Sequence, residues 1–298
     1  MNAPGRVVVS APAKVNLCLH VGGRRPDGYH NLESLVAFVS AGDEIRLEHD
    51  RAFSLSVSGP FGAELPVGED NLVFRAARLL AGKTVTGKGA RIHLEKNLPL
   101  ASGLGGGSAD AAAVLRGLVQ LWNLDVGQDV LRGIASSLGA DIPVCLASTP
   151  AWMEGKGEII TLLPPLPGPW LLLVNPRVPV PTAAVFAGLR QRRGQGTRCP
   201  SAPFADTSAL VHFLRTTTND LEAPARAIAP VIDDVLDEIG RLPDVLLVRM
   251  SGSGATCFGM FESECVDRAM RFLIAKRPDW WIQAATLASA VTGAPRIS

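Results

Sequence analysis

Apolar and polar side chains alternate near the start of the chain, which is the period of a β-strand. Over residues 13–19, Lys14 and Asn16 fall on the face opposite Val15, so a strand would present the two polar side chains together. The alternation leaves open whether this face carries chemistry or only meets water, since polar-out alternation is common in antiparallel sheets. Further strands are predicted at residues 32–39, 44–48, 53–57 and 91–95.

Helical spacing appears later in the first half. Apolar residues three and four apart predict helices at residues 71–81, 108–121 and 130–138. In the helix at 108–121, Ala111 and Leu115 lie on one apolar face, which predicts that this face is buried. Gly139 follows the helix at 130–138, at a position where glycine commonly ends a helix.

A proline-rich segment at residues 163–169 predicts a seam between two domains, residues 1–163 and 164–298, because proline continues neither a helix nor a central strand. Residues 190–206 are rich in Arg, Gly and Pro, which is typical of a mobile surface loop. The pattern then predicts a helix at 225–239, a strand at 245–250, a glycine turn at 251–254, a strand at 256–261, a helix at 265–276 and a strand at 281–285. This mixture predicts an α+β fold, a two-layer α/β sandwich.

Composition narrows the class of protein. Hydrophobic residues make up 47% and charged residues 19% of the 298 residues, which indicates a globular chain with a core. The 29 Lys and Arg nearly balance the 28 Asp and Glu, whereas a dedicated nucleic-acid binder would carry a basic surplus. No apolar run reaches the ~18 residues of a membrane span, and residues 1–10 lack the apolar core of a signal peptide. We therefore expect no nucleic-acid or membrane partner and a cytoplasmic location.

The glycine-rich segment at residues 98–108 precedes the predicted helix at 108–121 directly. Glycines let the backbone approach a ligand closely, and the start of a helix offers free N–H groups with a partial positive charge. Together they favour an anion site suited to a triphosphate over a plain flexible turn. No Gly-Lys-Ser/Thr closes the segment, and Ser108 stands where a third glycine of G-x-G-x-x-G would be. A phosphoryl-transfer enzyme built on it would need a lysine from elsewhere.

Lys14 is a candidate for that lysine, and Asp141 is a candidate for its partner. Asp141 lies in the otherwise apolar run at 138–146, where a buried unpaired carboxylate would cost several kcal/mol. The carboxylate is therefore exposed at a turn, paired with a cation, or catalytic. A lysine that stabilises charge on a transferred phosphoryl group and an aspartate that accepts a hydroxyl proton would form a working pair.

Two aromatic positions and a second glycine turn stand apart from the core pattern. The single Tyr of the chain is Tyr29, beside His30 in a turn between strands, where it either stacks on a base or tucks under the sheet. Phe186, at the start of a predicted helix, either packs in the core or lines a site. The turn at 251–254 is either a plain hairpin or a backbone nest over a phosphate.

Several blocks of the chain, in this order, resemble the GHMP kinases (galactose, homoserine, mevalonate and phosphomevalonate kinases). They are residues 11–17, 25–30, 98–110, 138–143 and 251–256. The blocks at 98–110 and 251–256 are shared across that family. The blocks at 25–30 and 138–143 are similar to the branch whose substrate is a cytidyl diphosphate alcohol.

The resemblance implies a GHMP kinase fold, with a ribosomal-protein-like N-terminal domain and a ferredoxin-like C-terminal domain. It implies an ATP-dependent transferase of isoprene (terpenoid) biosynthesis. Mg²⁺ would accompany ATP; no metal ligand is assigned, apart from Ser108 as a candidate. The adenine would lie near Asn71, Leu72 and Lys96. The ATP phosphates would lie on Pro99, Leu100, Ala101, Ser102, Gly103, Leu104, Gly105, Gly106, Gly107, Ser108 and Ala109.

The resemblance also implies roles for the remaining candidates. The substrate residues would be Asn16, Tyr29, His30, Thr182 and Phe186. Tyr29 and Phe186 would stack on the cytosine, and His30 would read the edge of the base. Asp141 would take the proton of the attacking hydroxyl, and Lys14 would stabilise the developing charge. We expect the protein to be a monomer or a weak homodimer.

Two other functions stay open at this point. The chain could phosphorylate another small alcohol of the same family, such as homoserine or mevalonate. It could instead be a non-catalytic module that binds a nucleotide or RNA, although its net charge of +1 argues against binding RNA.

Overall fold

The computed structural model describes residues 5–84, 87–189, 198–263 and 265–288. The first half contains β1 (Arg6–Asn16), β2 (His20–Arg24), β3 (His30–Asp50), β4 (Ser54–Ser58), α1 (Leu72–Thr84), β5 (Gly89–Glu95), α2 (Gly106–Trp122), α3 (Gln128–Leu138), α4 (Ile142–Ala147), β6 (Ala151–Gly155) and β7 (Ile159–Leu162). The second half contains β8 (Trp170–Asn175), α5 (Thr182–Ala187), α6 (Thr207–Arg215), α7 (Glu222–Ile228), α8 (Val231–Gly240), β9 (Leu247–Met250), β10 (Cys257–Phe261), α9 (Val266–Lys276) and β11 (Trp281–Thr286).

The strands of the first half form a seven-stranded sheet within the described residues, in the order β4-β5-β3-β6-β7, with β1 and β2 also pairing with β3. β4 and β5 are parallel, and the other pairs are antiparallel. The two separate strands predicted at 32–39 and 44–48 are wrong: one 21-residue strand, β3, runs through both. Pairing with β1 on both sides of the polar break around Gly42 holds the strand together.

Helices α1 and α2 cover this sheet with an apolar core between the layers. Val73 and Leu80 of α1 pack in one buried cluster with Leu115 of α2 and Ile92 of β5. α2 begins at Gly106, two residues before the predicted start. Gly139 follows α3, as predicted, and its φ of 170° is extended backbone.

The strands of the second half form an antiparallel sheet in the order β11-β8-β10-β9. With α8 between β8 and β9, and α9 between β10 and β11, this is the β-α-β-β-α-β ferredoxin-like arrangement. The single helix predicted at 225–239 is wrong, because Pro230 separates α7 from α8 and has no N–H to continue the first helix. Helix α6 was not predicted; residues 190–197 of the predicted surface loop lie outside the described residues.

The two halves are joined by a third apolar cluster. Val15 and Leu35 of the first sheet belong to it together with Leu171 and Phe258 of the second. The predicted boundary between residues 163 and 164 lies in the segment that links β7 to β8, and so links the two sheets. Among the described residues, no helix is long and apolar enough to cross a membrane.

Candidate active site

A cleft of about 1300 Å³ is lined by most of the residues that the sequence singled out. This exceeds the roughly 300–1000 Å³ of a site for one small ligand. The first half supplies strand β1, the β2–β3 turn and the glycine loop; the second half supplies α5 and the turn at Gly252 and Ser253. The cleft is therefore large enough for two ligands side by side.

The glycine loop connects β5 to α2 and presents a bare helix start to the cleft. Gly103 and Gly105 both have positive φ, at 76° and 62°, and Gly105 is the residue that precedes α2. No side chain caps this end of α2, although most helices satisfy their first N–H groups in that way. The uncapped N–H groups of Gly106 and Gly107 and the helix dipole favour a bound anion.

An irregularity in the pairing of β1 with β3 lies next to Lys14, which contacts this loop. The β1–β3 register shifts between Pro12 and Lys14, and such bulges re-aim side chains near functional sites. The Lys14 backbone N–H donates to the Leu104 carbonyl of the loop at 2.9 Å. A Cβ on Gly105 would come within 3.0 Å of Lys14 Cε, so the close approach of loop and lysine requires glycine there.

Lys14 and Asp141 meet in the cleft. Lys14 Nζ lies 3.0 Å from Asp141 Oδ2 and donates to Asn16 Oδ1 at 3.0 Å. The Lys14 side chain is 5% exposed, whereas that of Asp141 is 39% exposed. The polar face of β1 is therefore buried against a partner and is not a solvated surface. The Asp141 carboxylate keeps a side open to the cleft, where a second ligand could reach it.

Helix α4 sets the position of Asp141. Asp141 is the residue before α4, and its side chain does not cap the helix, so the carboxylate is available to Lys14. The buried guanidinium of Arg116 donates to the carbonyl of Cys145 at 2.8 Å and to the carbonyl of Ser10 in β1 at 3.0 Å. Burial lowers the pKa of Arg116 to about 10. Arg116 thereby ties α4 to the strand that carries Lys14.

The aromatic candidates lie at the other end of the cleft. The His30 and Phe186 rings are stacked with centroids 5.8 Å apart and an interplanar angle of 24°. Tyr29 is 57% exposed, so it is not tucked under the sheet, and Lys156 Nζ lies 5.1 Å from its ring centroid. Phe186 packs partly against the core of the second half and also lines the cleft. It lies near the end of α5, whereas the sequence placed it at the start of a helix.

Most of the remaining candidates line the cleft as well. Thr182 does so and exchanges a hydrogen bond of 2.9 Å with Ser253. Asn71 and Leu72 line it near α1, where Asn71 Oδ1 accepts from the N–H of Val73 at 2.9 Å. The loop residues on the cleft are Pro99, Leu100, Ala101, Ser102, Gly103, Gly105, Gly106, Gly107 and Ser108.

Leu104 and Ala109 differ from the other loop candidates. Both residues are fully or almost fully buried, and they belong to the apolar clusters of the core. The Leu104 carbonyl and the Ala109 N–H are also already bonded, to the backbone of Lys14 and of Gly105. Their side chains anchor the loop from behind, and their predicted contact with ATP stays a prediction.

Lys96 is committed to two carboxylates beneath the loop. Its Nζ donates to Asp43 Oδ2 at 2.5 Å and to Asp110 Oδ2 at 2.7 Å, and all three side chains are at most 3% exposed. Asp43 Oδ1 also accepts from the backbone N–H groups of Asn97 and Leu98, which lead into the loop. The ammonium expected near the adenine is therefore held by protein carboxylates.

The sequence did not point to this buried triad of Asp43, Lys96 and Asp110. Burial raises the pKa of Asp110 to about 8, despite the nearby Lys96 ammonium. Asp110 Oδ1 is buried without a hydrogen-bond partner. The usable signal was Asp43 itself, an acid between two apolar strand segments, where a buried carboxylate needs a cation.

The described residues contain no group of three or more His, Cys, Asp or Glu side chains arranged to hold a metal ion. Ser108 faces the cleft in the first turn of α2.

Comparison with known proteins places this geometry in a family. The model of the GHMP kinases N terminal domain matches residues 71–149, and that of the GHMP kinases C terminal matches residues 207–278. The chain belongs to the GHMP kinase family. It has the GHMP kinase fold, and the glycine loop and α2 fall within the matched N-terminal region.

Individual GHMP kinases sharpen the comparison. The chain is 49% identical over 284 residues to the 4-diphosphocytidyl-2-C-methyl-D-erythritol kinase of Paramagnetospirillum magneticum, covering 94% of this chain and 98% of that protein. A crystal structure of 4-(cytidine 5'-diphospho)-2C-methyl-D-erythritol kinase is similar, with 35% identity, a TM-score of 0.77 and coverage of 95% and 100%. The homoserine kinase of Cytophaga hutchinsonii has a TM-score of 0.74 at 19% identity, covering 98% of each chain, and this likeness concerns the fold alone.

Proposed function

We propose that this GHMP kinase transfers the γ-phosphoryl group of ATP to the 2-hydroxyl of 4-diphosphocytidyl-2-C-methyl-D-erythritol. The observation that carries the proposal is the contact of Lys14 and Asp141 at 3.0 Å in a cleft that also contains the glycine loop and the aromatic residues Tyr29 and Phe186. The chain is 48–49% identical, over nearly its full length, to kinases named for this substrate, and this similarity supports the same activity.

We assign the ATP end of the cleft from the backbone N–H groups that are available there. The triphosphate lies on the N–H groups at the start of α2, and the adenine lies toward Asn71 and Leu72. The Ser108 hydroxyl would help to hold Mg²⁺ that enters with ATP, and the ion would supply positive charge to offset that of the phosphates. Lys96 acts from beneath the loop, since its ammonium is held by Asp43 and Asp110.

We assign the end of the cleft that binds the cytidyl alcohol from its aromatic residues. The cytosine lies between Tyr29 and Phe186, and His30 reads the edge of the base by hydrogen bonding. Exposed Tyr29 is free to close on a base, and base stacking on an aromatic side chain is worth roughly 1–3 kcal/mol. Asn16 and Thr182 hold the polar remainder of the substrate, which reaches along the cleft toward Asp141.

In the transfer step, the hydroxyl oxygen of the substrate forms a bond to the γ-phosphorus while the bond to the β–γ bridging oxygen breaks, and ADP leaves. The hydroxyl proton goes to Asp141, whose carboxylate is partly open to the cleft. Lys14, whose ammonium lies 3.0 Å from that carboxylate, stabilises the negative charge on the transferred group. Catalysis of this kind is mostly positioning and electrostatic stabilisation.

The test is a product assay with purified protein, ATP, Mg²⁺ and the cytidyl alcohol, read by mass spectrometry and phosphorus NMR. We expect ADP and one product that is heavier by one phosphoryl group, with the phosphorus on the 2-oxygen. Homoserine and mevalonate are offered in the same assay. Transfer only to one of those alcohols would assign the chain to another branch of the family, and nucleotide binding without transfer would favour a non-catalytic module.

The remaining expectations stay predictions. We expect a cytoplasmic monomer or weak homodimer that binds neither nucleic acid nor membrane. Analytical ultracentrifugation with and without both substrates measures the assembly state directly.

A further inference from the structure

The glycine turn at residues 251–254 of the second half is packed backbone to backbone against the glycine loop of the first half. The Thr256 N–H donates to the Ser102 carbonyl at 3.1 Å. A Cβ on Gly103 would overlap the Ser251 carbonyl, and a Cβ on Gly252 would come within 2.8 Å of the Gly103 carbonyl. The turn is therefore more than a plain hairpin, because it fixes the middle of the loop from the opposite half.

The Ser251 hydroxyl links this loop to strand β1. Ser251 Oγ donates to the Gly103 carbonyl at 3.0 Å and accepts from the backbone N–H of Asn16 at 3.1 Å. The side chain is fully buried, at 0% exposure. Its one donor and one of its acceptor sites are thus used by two segments that are far apart in the sequence.

The link continues to the candidate catalytic pair. Asn16 Oδ1 accepts from Lys14 Nζ at 3.0 Å, and Lys14 Nζ contacts Asp141 Oδ2 at 3.0 Å. Asn16 Nδ2 donates to Ser34 Oγ at 2.8 Å, which fixes the orientation of the Asn16 amide. A continuous chain of hydrogen bonds and strand backbone therefore joins the loop at Gly103 to the Lys14–Asp141 pair.

We propose that Ser251 is a positioning residue, whose hydroxyl sets the distance between the glycine loop and strand β1. The inference rests on the proposed function, since the loop then carries the γ-phosphoryl group and β1 carries Lys14. Each ligand binds mainly to its own end of the cleft, so loss of the Ser251 link should weaken binding little. It should slow the transfer step, in which the substrate hydroxyl oxygen must reach the γ-phosphorus. Misplacement of about 1 Å can cost on the order of 100-fold in rate.

The test compares Ser251→Ala with Ser251→Cys and with the matched control Thr256→Val. Thr256 is in the same hairpin and is equally buried, but its hydroxyl accepts from Asn175 inside the second half. Thr256→Val therefore removes one buried hydroxyl without touching the link to Asn16. Ser251→Cys keeps the shape of the side chain with a somewhat larger terminal atom, and it offers a weaker donor and acceptor. It therefore gives the answer if the alanine variant fails to fold.

We expect Ser251→Ala to lower kcat and the single-turnover rate of phosphoryl transfer by about 10- to 100-fold. The KM values for ATP and for the cytidyl alcohol should each stay within about 3-fold of wild type, and Ser251→Cys should be intermediate. Thr256→Val should retain wild-type rates. The proposal is overturned if folded Ser251 variants keep the wild-type single-turnover rate, if only the KM for ATP rises, or if Thr256→Val loses the same rate. Absence of turnover in the wild-type protein would instead refute the proposed function.

Discussion

Two lysines lie beside carboxylates around the glycine loop, and their surroundings differ. Lys14 pairs with Asp141, whose side chain is 39% exposed, whereas Lys96 is sealed between Asp43 and Asp110, which are at most 3% exposed. An ion pair with an open side can exchange a partner for substrate. The Lys96 cluster also borders the cleft, but its ammonium is already held on two sides by Asp43 and Asp110. The same residue types thus serve the proposed chemistry at one site and hold the loop in place at the other.

The largest effect should come from the open pair. We expect Asp141→Asn to lower kcat by roughly 10²- to 10⁴-fold, because the amide cannot accept the hydroxyl proton. The KM values should change little, since neither the glycine loop nor the aromatic end is altered. Steady-state kinetics measure the change, and a thermal melt checks the fold. Unchanged turnover in a folded Asp141→Asn variant would contradict the assigned proton acceptor.

The contrast between the two lysines is tested most directly by stability. Lys96→Met leaves two buried carboxylates without a cation, and breaking such buried pairs costs about 3–5 kcal/mol. Lys14→Met leaves a partly exposed carboxylate, so we expect a loss of about 1 kcal/mol or less. The free energies of unfolding from urea titrations compare the two variants. Equal losses would remove the distinction between an open and a sealed pair.

The aromatic end should give a smaller and more selective effect. Tyr29→Ala should raise the KM for the cytidyl alcohol by an amount that corresponds to roughly 1–3 kcal/mol of lost stacking. Tyr29→Phe keeps the ring and is the control, with a KM close to wild type. The KM for ATP should be unchanged in both variants. A parallel rise in both KM values would mean that Tyr29 shapes the whole cleft.

The last prediction concerns Asp110 and depends on pH. Burial raises its pKa from about 3.8 to about 8 in the folded protein, so the folded state binds a proton that the unfolded state has lost. This contribution to stability is complete below pH 4 and is lost as the pH rises toward 8. Asp110→Asn lacks the titrating group. We therefore expect its free energy of unfolding, relative to wild type, to rise from pH 5 to pH 8. A difference that is flat or falling with pH would show that Asp110 is ionised throughout.

The chemistry that local pattern encodes was predictable. The period of two in β1 placed Lys14 and Asn16 on one face, and the structure buries that face against the cleft. The anion site at the glycine loop before α2 could also be predicted, because both the glycines and the helix that follows are visible in the local sequence. That Asp141 would contact Lys14 depended on Arg116 tying α4 to β1, a tertiary contact with no local pattern.

Other features were missed because tertiary pairing overrides local pattern. The polar residues around Gly42 suggest a gap between two strands. Pairing of β3 with β1 and β5 nevertheless keeps it one continuous strand there. Lys96 reads as a loop lysine near a nucleotide, and only the fold brings Asp43 and Asp110 to its ammonium. The roles of the individual site residues remain predictions, which the variants above test one at a time.

Strand β3 begins at His30, at the aromatic end of the cleft, and passes Asp43, beneath the glycine loop. One uninterrupted strand therefore works as a spacer, whose length is fixed by a count of residues. Loops at either end can vary without altering that span. An insertion or deletion between His30 and Asp43 would shift every ladder bond beyond it and rescale the separation of the two ligands.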